Sequence, residues 1–196
     1  MNTEAISIIT DTIRQRRSTK PDKMNGQKIA DAQMETILET ARWAPTHGGT
    51  EPWHFIVYAG SSVTEFCRQH AVLYRSNTAA ESYLQGTYDK FFHLGDLASH
   101  MVVAIMCRGN LPKIPVWEEV AAAACAIQNI LLTATAMKIA SFWSTGGMAM
   151  HPAMKEYLQL REDDQVMGFL YFGYSNTTTE GNRSMAQDKI TWAVNS

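Results

Sequence analysis

Three cations and two hydroxyl groups lie within the five-residue segment Arg16-Arg17-Ser18-Thr19-Lys20. A guanidinium group donates in a planar fork, lysine brings a mobile point charge, and serine adds a short hydrogen-bond donor. Together these groups suit a phosphate monoester. A solvated basic helix end is the alternative, because cations complement the negative end of the helix dipole. The segment by itself is compatible with both interpretations.

Two loops that contain paired glycines are the other candidate sites. One begins at Trp43 and reads WAPTHGGTEPWHFIVY, and the other begins at Trp143 and reads WSTGG. Glycine loses the most chain entropy on ordering, so a backbone that passes close to a flat or charged ligand would justify these residues. An ordinary loop or a tight turn is the alternative. His47 faces little crowding from its neighbours, and Trp143 has a ring that can stack on a ligand.

Composition limits the class of protein. The chain has 196 residues, of which 45% are hydrophobic and 18% are charged, and its net charge is -2. These values indicate a single globular domain over residues 1–196 and argue against disorder or a strongly cationic nucleic-acid binder. Neither glycine loop matches GxGxxG or GxxxxGK[ST], and no HExxH or CxxC signature predicts a metal. Three cysteines without such spacing and a start without a signal peptide predict a cytoplasmic protein.

Hydrophobic periodicity and turn residues predict the order of the elements. Helices are expected over 3–15, 31–43, 117–139 and 151–160, and strands over 53–60, 101–107 and 165–175. Residues 141–143 are expected to form a short strand or a bend. Two further helices are expected to begin with capping boxes, Ser62 with Glu65 and Thr78 with Glu81, and the second is expected to end near Gly95.

The helix expected over 117–139 is apolar on nearly every side. It is long enough to cross a bilayer, but Glu118, Glu119 and Lys138 favour a core helix over a membrane span. A helix without a wide polar face must be covered all round. In a chain of this length, we expect a partner subunit to supply part of that cover.

The order of these motifs along the chain resembles the nitroreductase family. An RRSxK segment is followed by APTHGGTEPWHFIVY, the long alanine-rich helix, WSTGG, GFLYFGYS and a tail with Arg183 and Trp192. The similarity covers nearly the whole chain and is greatest to the compact, single-domain NAD(P)H-dependent branch. It implies an α+β fold in which helices wrap a mostly antiparallel central sheet. It also implies an obligate homodimer with two FMN sites at the interface.

The resemblance assigns one group of residues to the phosphate end of FMN. Arg16, Arg17 and Ser18 resemble the family's phosphate and ribityl contacts, and Arg183 resembles a second phosphate contact from the tail. Lys20 resembles the cation beside the pyrimidine edge of the flavin. Lys20 would support negative charge that develops on the ring.

A second group is assigned to the flavin ring. His47 resembles a loop residue contributed against the flavin. Trp143, Ser144, Thr145 and Gly146 resemble the segment that passes the isoalloxazine. On this basis, replacing the glycines that follow His47 with alanine is expected to weaken FMN binding.

The implied activity is hydride transfer from NADH or NADPH to flavin N5 and then to an electron-poor acceptor, with ping-pong kinetics and no side-chain nucleophile. The acceptor would be a small planar molecule such as a nitroaromatic, a quinone or an enone. The aromatic residues of 83–117 either line a pocket for it or fill the core. Reductive dehalogenation or flavin fragmentation is an alternative, as is a flavin-binding redox sensor or storage protein that does not turn over.

Overall fold

Four antiparallel strands form the central sheet of the computed structural model, which describes residues 3–177 and 180–193. In chain order they are β1 Trp53–Ala59, β2 His100–Met106, β3 Ala140–Ser144 and β4 Gln165–Gly173. Their order across the sheet is β1-β2-β4-β3, and every pairing is antiparallel.

Six α-helices surround the sheet within the described residues. They are α1 Thr3–Gln15, α2 Asp31–Glu39, α3 Ser61–Asn77, α4 Gln85–Phe92, α5 Val116–Ala136 and α6 Pro152–Tyr157. Short 3-10 helices occur at Pro21–Lys23, Thr40–Trp43, His47–Gly49 and Ala186–Lys189. The expected α+β class, with helices around an antiparallel sheet, is therefore confirmed.

Both faces of the sheet are buried. Alternate residues of a strand point to opposite sides, and in β2 and β4 both sets of residues belong to a hydrophobic core. Val102 and Leu170 belong to the core on the α5 side. Met101, Phe169 and Tyr171 belong to a second core on the side of α3 and α6. This explains why β2 and β4 are almost continuously apolar in sequence.

A β-bulge interrupts the pairing of β4 with β2. Ala104 pairs with Gly168 while Ile105 pairs with Val166, so that Met167 is an extra residue. A Cβ atom on Gly168 would lie 2.6 Å from the carbonyl oxygen of Ser144. Such bulges redirect neighbouring groups at the rim of a sheet, and this one lies beside the end of β3.

The two predicted capping boxes are wrong. Gly60, with φ 59°, precedes α3, and Ser62 Oγ donates to the carbonyl oxygen of Ala59 at 2.7 Å. Thr78 follows the end of α3, and α4 begins only at Gln85. The helix expected over 31–43 also changes character after residue 39, where a 3-10 turn replaces the α-helix.

A buried ion pair fixes the beginning of α5. Glu119 is fully buried and pairs with the Arg108 guanidinium. The Gly109 amide donates to Glu119 Oε1 at 3.1 Å, and Arg108 Nη2 donates to the carbonyl oxygen of Ile114 at 2.5 Å. A carboxylate with these partners holds the loop before α5 against the helix.

Much apolar surface remains uncovered on α1 and α5. By length and hydropathy α5 could span a membrane, a test that core helices also pass, and one side of it packs into the core. On its other side Trp117 is 68% exposed. Among the described residues of α1 none is buried, and its four isoleucines are exposed, namely Ile6, Ile8, Ile9 and Ile13.

Candidate functional site

The basic segment after α1 runs as extended chain beside β3. Ser18 forms an isolated parallel bridge with Ser141, and the Thr19 amide donates to the Ser141 carbonyl oxygen at 2.9 Å. Neighbouring side chains of extended backbone point in opposite directions. Arg16 and Ser18 therefore line one cavity, whereas Arg17 and Thr19 line another.

The cavity on the Arg16 side has a volume of about 450 Å³, and we call it the Arg16 cavity. It is lined by residues from the extended segment, from α5 and from β3 with its following loop, namely Arg16, Ser18, Gln128, Leu131, Ser141, Trp143 and Thr145. The structure thus brings together Arg16, Ser18, Trp143 and Thr145, which the resemblance assigned to one cofactor site.

Positive charge accumulates at one end of the Arg16 cavity. The pKa of Arg16 is lowered, first by burial and then by repulsion from Arg183 and Arg17. Within the described residues no carboxylate is among the charges that act on Arg16. An anion bound between Arg16 and Arg183 would relieve this repulsion, and phosphate is suited to such a place.

Arg17 has a different environment. Its guanidinium donates to the carbonyl oxygens of Arg14 and, at 2.9 Å, Arg16 at the end of α1. Gly181 packs so closely that a Cβ atom on it would lie 2.5 Å from Arg17 Nη2. Arg17 therefore stabilises the helix end and the tail on the side opposite the Arg16 cavity.

The loop after β3 presents unpaired backbone donors. Trp143 Nε1 donates to the carbonyl oxygen of the bulged residue Met167 at 2.8 Å, which fixes the indole. Beyond Ser144, in the described part of the chain, the amides of Thr145, Gly146 and Gly147 have no protein acceptor. Free amides beside an indole ring can hydrogen-bond the edge of a planar ligand while the ring contacts it.

His47 lies elsewhere in the same chain. Its Nδ1 is 2.5 Å from Glu118 Oε2, and the pair lines a cavity of about 390 Å³ with Trp117. Glu118 precedes Gln128, which lines the Arg16 cavity, by ten residues of α5. Ten helical residues rise about 15 Å, so that His47 and the Arg16 cavity are well separated within one chain.

The glycines after His47 are required by the loop itself. Gly48 and Gly49 both have φ of 64°, and Glu51 has φ 43°. A Cβ atom on Gly48 would lie 3.0 Å from the terminal methyl groups of Ile114 and Leu111. The conformation and packing of the chain therefore account for Gly48 without any ligand.

Lys20 is exposed and lies outside the lining of the Arg16 cavity. Its backbone is extended, with φ -60° and ψ 149°. It stands two residues beyond Ser18, so the alternation of extended chain places it on the same side as Ser18.

A comparison with protein families matches residues 13–174 to the model described as "Nitroreductase family". The "Putative NAD(P)H nitroreductase YdjA" of Escherichia coli (strain K12) is 32% identical over 146 residues, which cover 72% of this chain and 75% of that protein. The chain belongs to the nitroreductase family.

Solved structures share the fold. A nitroreductase-like family protein from Bacillus cereus superposes with a TM-score of 0.78 at 24% identity, covering 94% of this chain and 95% of that one. A nitroreductase with bound FMN from Bacteroides fragilis NCTC 9343 gives a TM-score of 0.72 at 23% identity, covering 95% of this chain and 98% of that one.

In this member of the nitroreductase family the aromatic residues of α4 and the preceding turn pack against α3. Tyr83 stacks on Tyr74 with ring centroids 5.6 Å apart, and Phe91 stacks on His70 at 4.5 Å. Arg75 lies 5.5 Å from the ring of Tyr88. These contacts favour the interpretation in which the aromatic residues serve packing.

No motif in the sequence indicated His70, which contacts the glycine loop that follows β3. Its Nε2 accepts a hydrogen bond from the Met148 amide at 2.9 Å. The two residues are 78 positions apart. No local pattern could have revealed the contact, because it depends on how α3 packs against the far side of the sheet.

Proposed function

We propose that this protein is an FMN-dependent oxidoreductase that transfers hydride from NADH or NADPH to a small, electron-poor acceptor. The observation that carries the proposal is the Arg16 cavity. The guanidinium of Arg16 lines this cavity and is repelled by that of Arg183, and among the described residues no carboxylate acts on Arg16. Thr145, whose amide has no protein acceptor, lines the cavity from the loop after Trp143. Both features match a molecule with an anionic end and a planar, hydrogen-bonding end.

The residues present fit FMN at its phosphate end. Arg16 and Arg183 would bind the phosphate by charge-assisted hydrogen bonds, and the hydroxyl group of Ser18 would add a neutral contact beside them. FMN-bound structural neighbours support this assignment of the cofactor. Arg17 contributes indirectly, since it stabilises the end of α1 from which Arg16 extends.

The opposite wall fits the flavin ring. The fixed indole of Trp143 would pack against it, and the amides of Thr145 and Gly146 would donate to its polar edge. When bound, FMN supplies the hydride chemistry through its N5 position. Lys20, on the same side as Ser18, would stabilise negative charge that develops on the ring during reduction.

We also propose that the working unit is a homodimer. The exposed isoleucines of α1 and the exposed Trp117 of α5 form apolar surface of the kind that oligomer interfaces bury. His47 cannot reach the Arg16 cavity of its own chain, so a role for it against the flavin requires the cavity of the partner. Light scattering should give the mass of two chains.

The test is the visible spectrum of the purified protein with FMN before and after anaerobic addition of NADH or NADPH. A bound-flavin spectrum that bleaches supports the proposal and identifies the donor. Candidate nitroaromatic, quinone and enone acceptors should then restore the oxidised spectrum. Bound flavin that neither nucleotide reduces would instead favour a sensor or storage protein, and an absence of binding would refute the proposal.

A further inference from the structure

His70 is a buried imidazole that belongs to none of the contacts proposed for FMN. It lies on α3, is 1% exposed, and is surrounded by aromatic rings. Phe91 stacks on it with centroids 4.5 Å apart, and Phe169 meets it edge-on at 5.3 Å. No charged group accompanies it, and burial alone lowers the pKa of His70 to about 4.

The hydrogen bond to Met148 defines the state of this ring. A neutral imidazole has one donor and one acceptor nitrogen. Because Nε2 accepts from the Met148 amide, the proton must be on Nδ1. Within the described residues Nδ1 has no hydrogen-bond partner. The hydrogen bond from Met148 is therefore the polar interaction that His70 makes among the described residues.

The loop approaches His70 more closely than a side chain would allow. Gly147 has φ 66°, and a Cβ atom on it would lie 2.6 Å from both His70 Nε2 and Phe91 Cζ. The inner side of the loop is thus seated directly on the two stacked rings. Two residues earlier Thr145 lines the Arg16 cavity, and the amides of Thr145 and Gly146 have no protein acceptor among the described residues.

We propose that His70 is a positioning residue that anchors the loop from Trp143 to Met148, so that the amides of Thr145 and Gly146 are presented to the cofactor. The loop is then held at both ends from inside the protein, by Met167 at Trp143 and by His70 at Met148. This inference rests on the proposed FMN site. Preorganised donors of this kind bind better because their conformational entropy has already been lost.

The test compares His70→Phe with His70→Gln. Phenylalanine keeps a stacked ring but removes the acceptor, whereas the amide oxygen of glutamine can accept from Met148. The matched control is Tyr171→Phe, which removes a buried hydroxyl group from the same core at its contact with Cys67 Sγ. Loss of one neutral hydrogen bond corresponds to roughly a fivefold to tenfold change in an equilibrium constant.

Two measurements are made on each variant: the FMN dissociation constant of the apoprotein by fluorescence titration, and hydrogen exchange at the Met148 amide without FMN. We expect His70→Phe to weaken FMN binding about tenfold and to accelerate exchange, and His70→Gln to recover part of both. The control should leave both unchanged. Unchanged FMN binding in His70→Phe, with or without faster exchange, would overturn the proposal.

The outcomes separate this inference from the proposed function. If the wild-type protein binds no FMN, the proposed function fails, and slow exchange at Met148 that persists in His70→Phe would overturn the anchor as well. If His70→Phe does not fold, Gly147→Ala displaces the loop instead, because the added methyl group would lie 2.6 Å from His70 Nε2 and Phe91 Cζ. That variant should also weaken FMN binding, and unchanged affinity would contradict the anchor.

Discussion

Burial of His70 makes the stability of the protein depend on pH in a defined range. Its pKa falls from 6.5 in the unfolded chain to about 4 in the folded protein. Between these values the unfolded state binds the extra proton, so stability is complete above about pH 6.5 and is lost as the pH falls towards 4. At about 1.4 kcal/mol per pH unit, the loss reaches roughly 3 kcal/mol.

Urea unfolding of the wild type and of His70→Phe, at intervals from pH 7 to pH 4.5, measures this contribution. The variant has no titrating group at position 70, so its free energy of unfolding should fall less steeply over this range. Asp164 should not obscure the difference. Burial acts to raise the pKa of Asp164, but hydrogen bonds from Arg161 and the Arg108 amide hold it below its ordinary value.

The test compares how the free energy of unfolding changes with pH in the wild type and in His70→Phe. The free energy of unfolding of the wild type minus that of the variant should decrease by at least about 2 kcal/mol between pH 7 and pH 4.5. Parallel curves would refute the reasoning, because they would mean that His70 titrates alike in both states and that its folded environment is hydrated.

Three further substitutions test other parts of the structure. Arg183→Ala should weaken FMN binding tenfold or more, because a charge-assisted contact is worth about 1.5–3 kcal/mol. The control Arg14→Ala, which removes an exposed ion pair, should leave the FMN dissociation constant unchanged. Gly48→Ala should lower the free energy of unfolding more than Gly49→Ala, since an added Cβ would meet neighbouring side chains at position 48 and none at position 49. Equal losses in urea would contradict this. Glu119→Ala should cost about 3 kcal/mol because it leaves the partly buried Arg108 guanidinium without its carboxylate. A midpoint of thermal unfolding near that of the wild type would contradict this.

The basic segment shows what the sequence could and could not predict. Its composition was compatible with a phosphate site and with a helix end. In the structure Arg17 belongs to the helix end, since its guanidinium donates to the Arg16 carbonyl oxygen, whereas Arg16 lines a cavity in which the phosphate site stays a proposal. Composition reveals the kinds of group in such a segment, but the side to which each points depends on the pairing of Ser18 with Ser141.

The failed predictions share a physical cause. The hydroxyl and carboxylate spacing at Thr78 fits a helix start, yet the chain continues through a turn in which the Leu84 amide donates to the hydroxyl group of Tyr74 at 3.1 Å. Tertiary contacts thus override a local capping pattern. Strands β2 and β4 were predictable because they are almost continuously apolar, and that property does not depend on distant partners.

The pairing of the basic segment with β3 also bears on the solubility of the protein. β3 is an edge strand, and exposed edges of sheets are templates for pairing between molecules. The segment through Thr19 occupies the outer side of β3 near Ser141. It therefore shields part of an aggregation-prone edge, and we expect a truncation that removes it to lower the solubility of the protein independently of any effect on the Arg16 cavity.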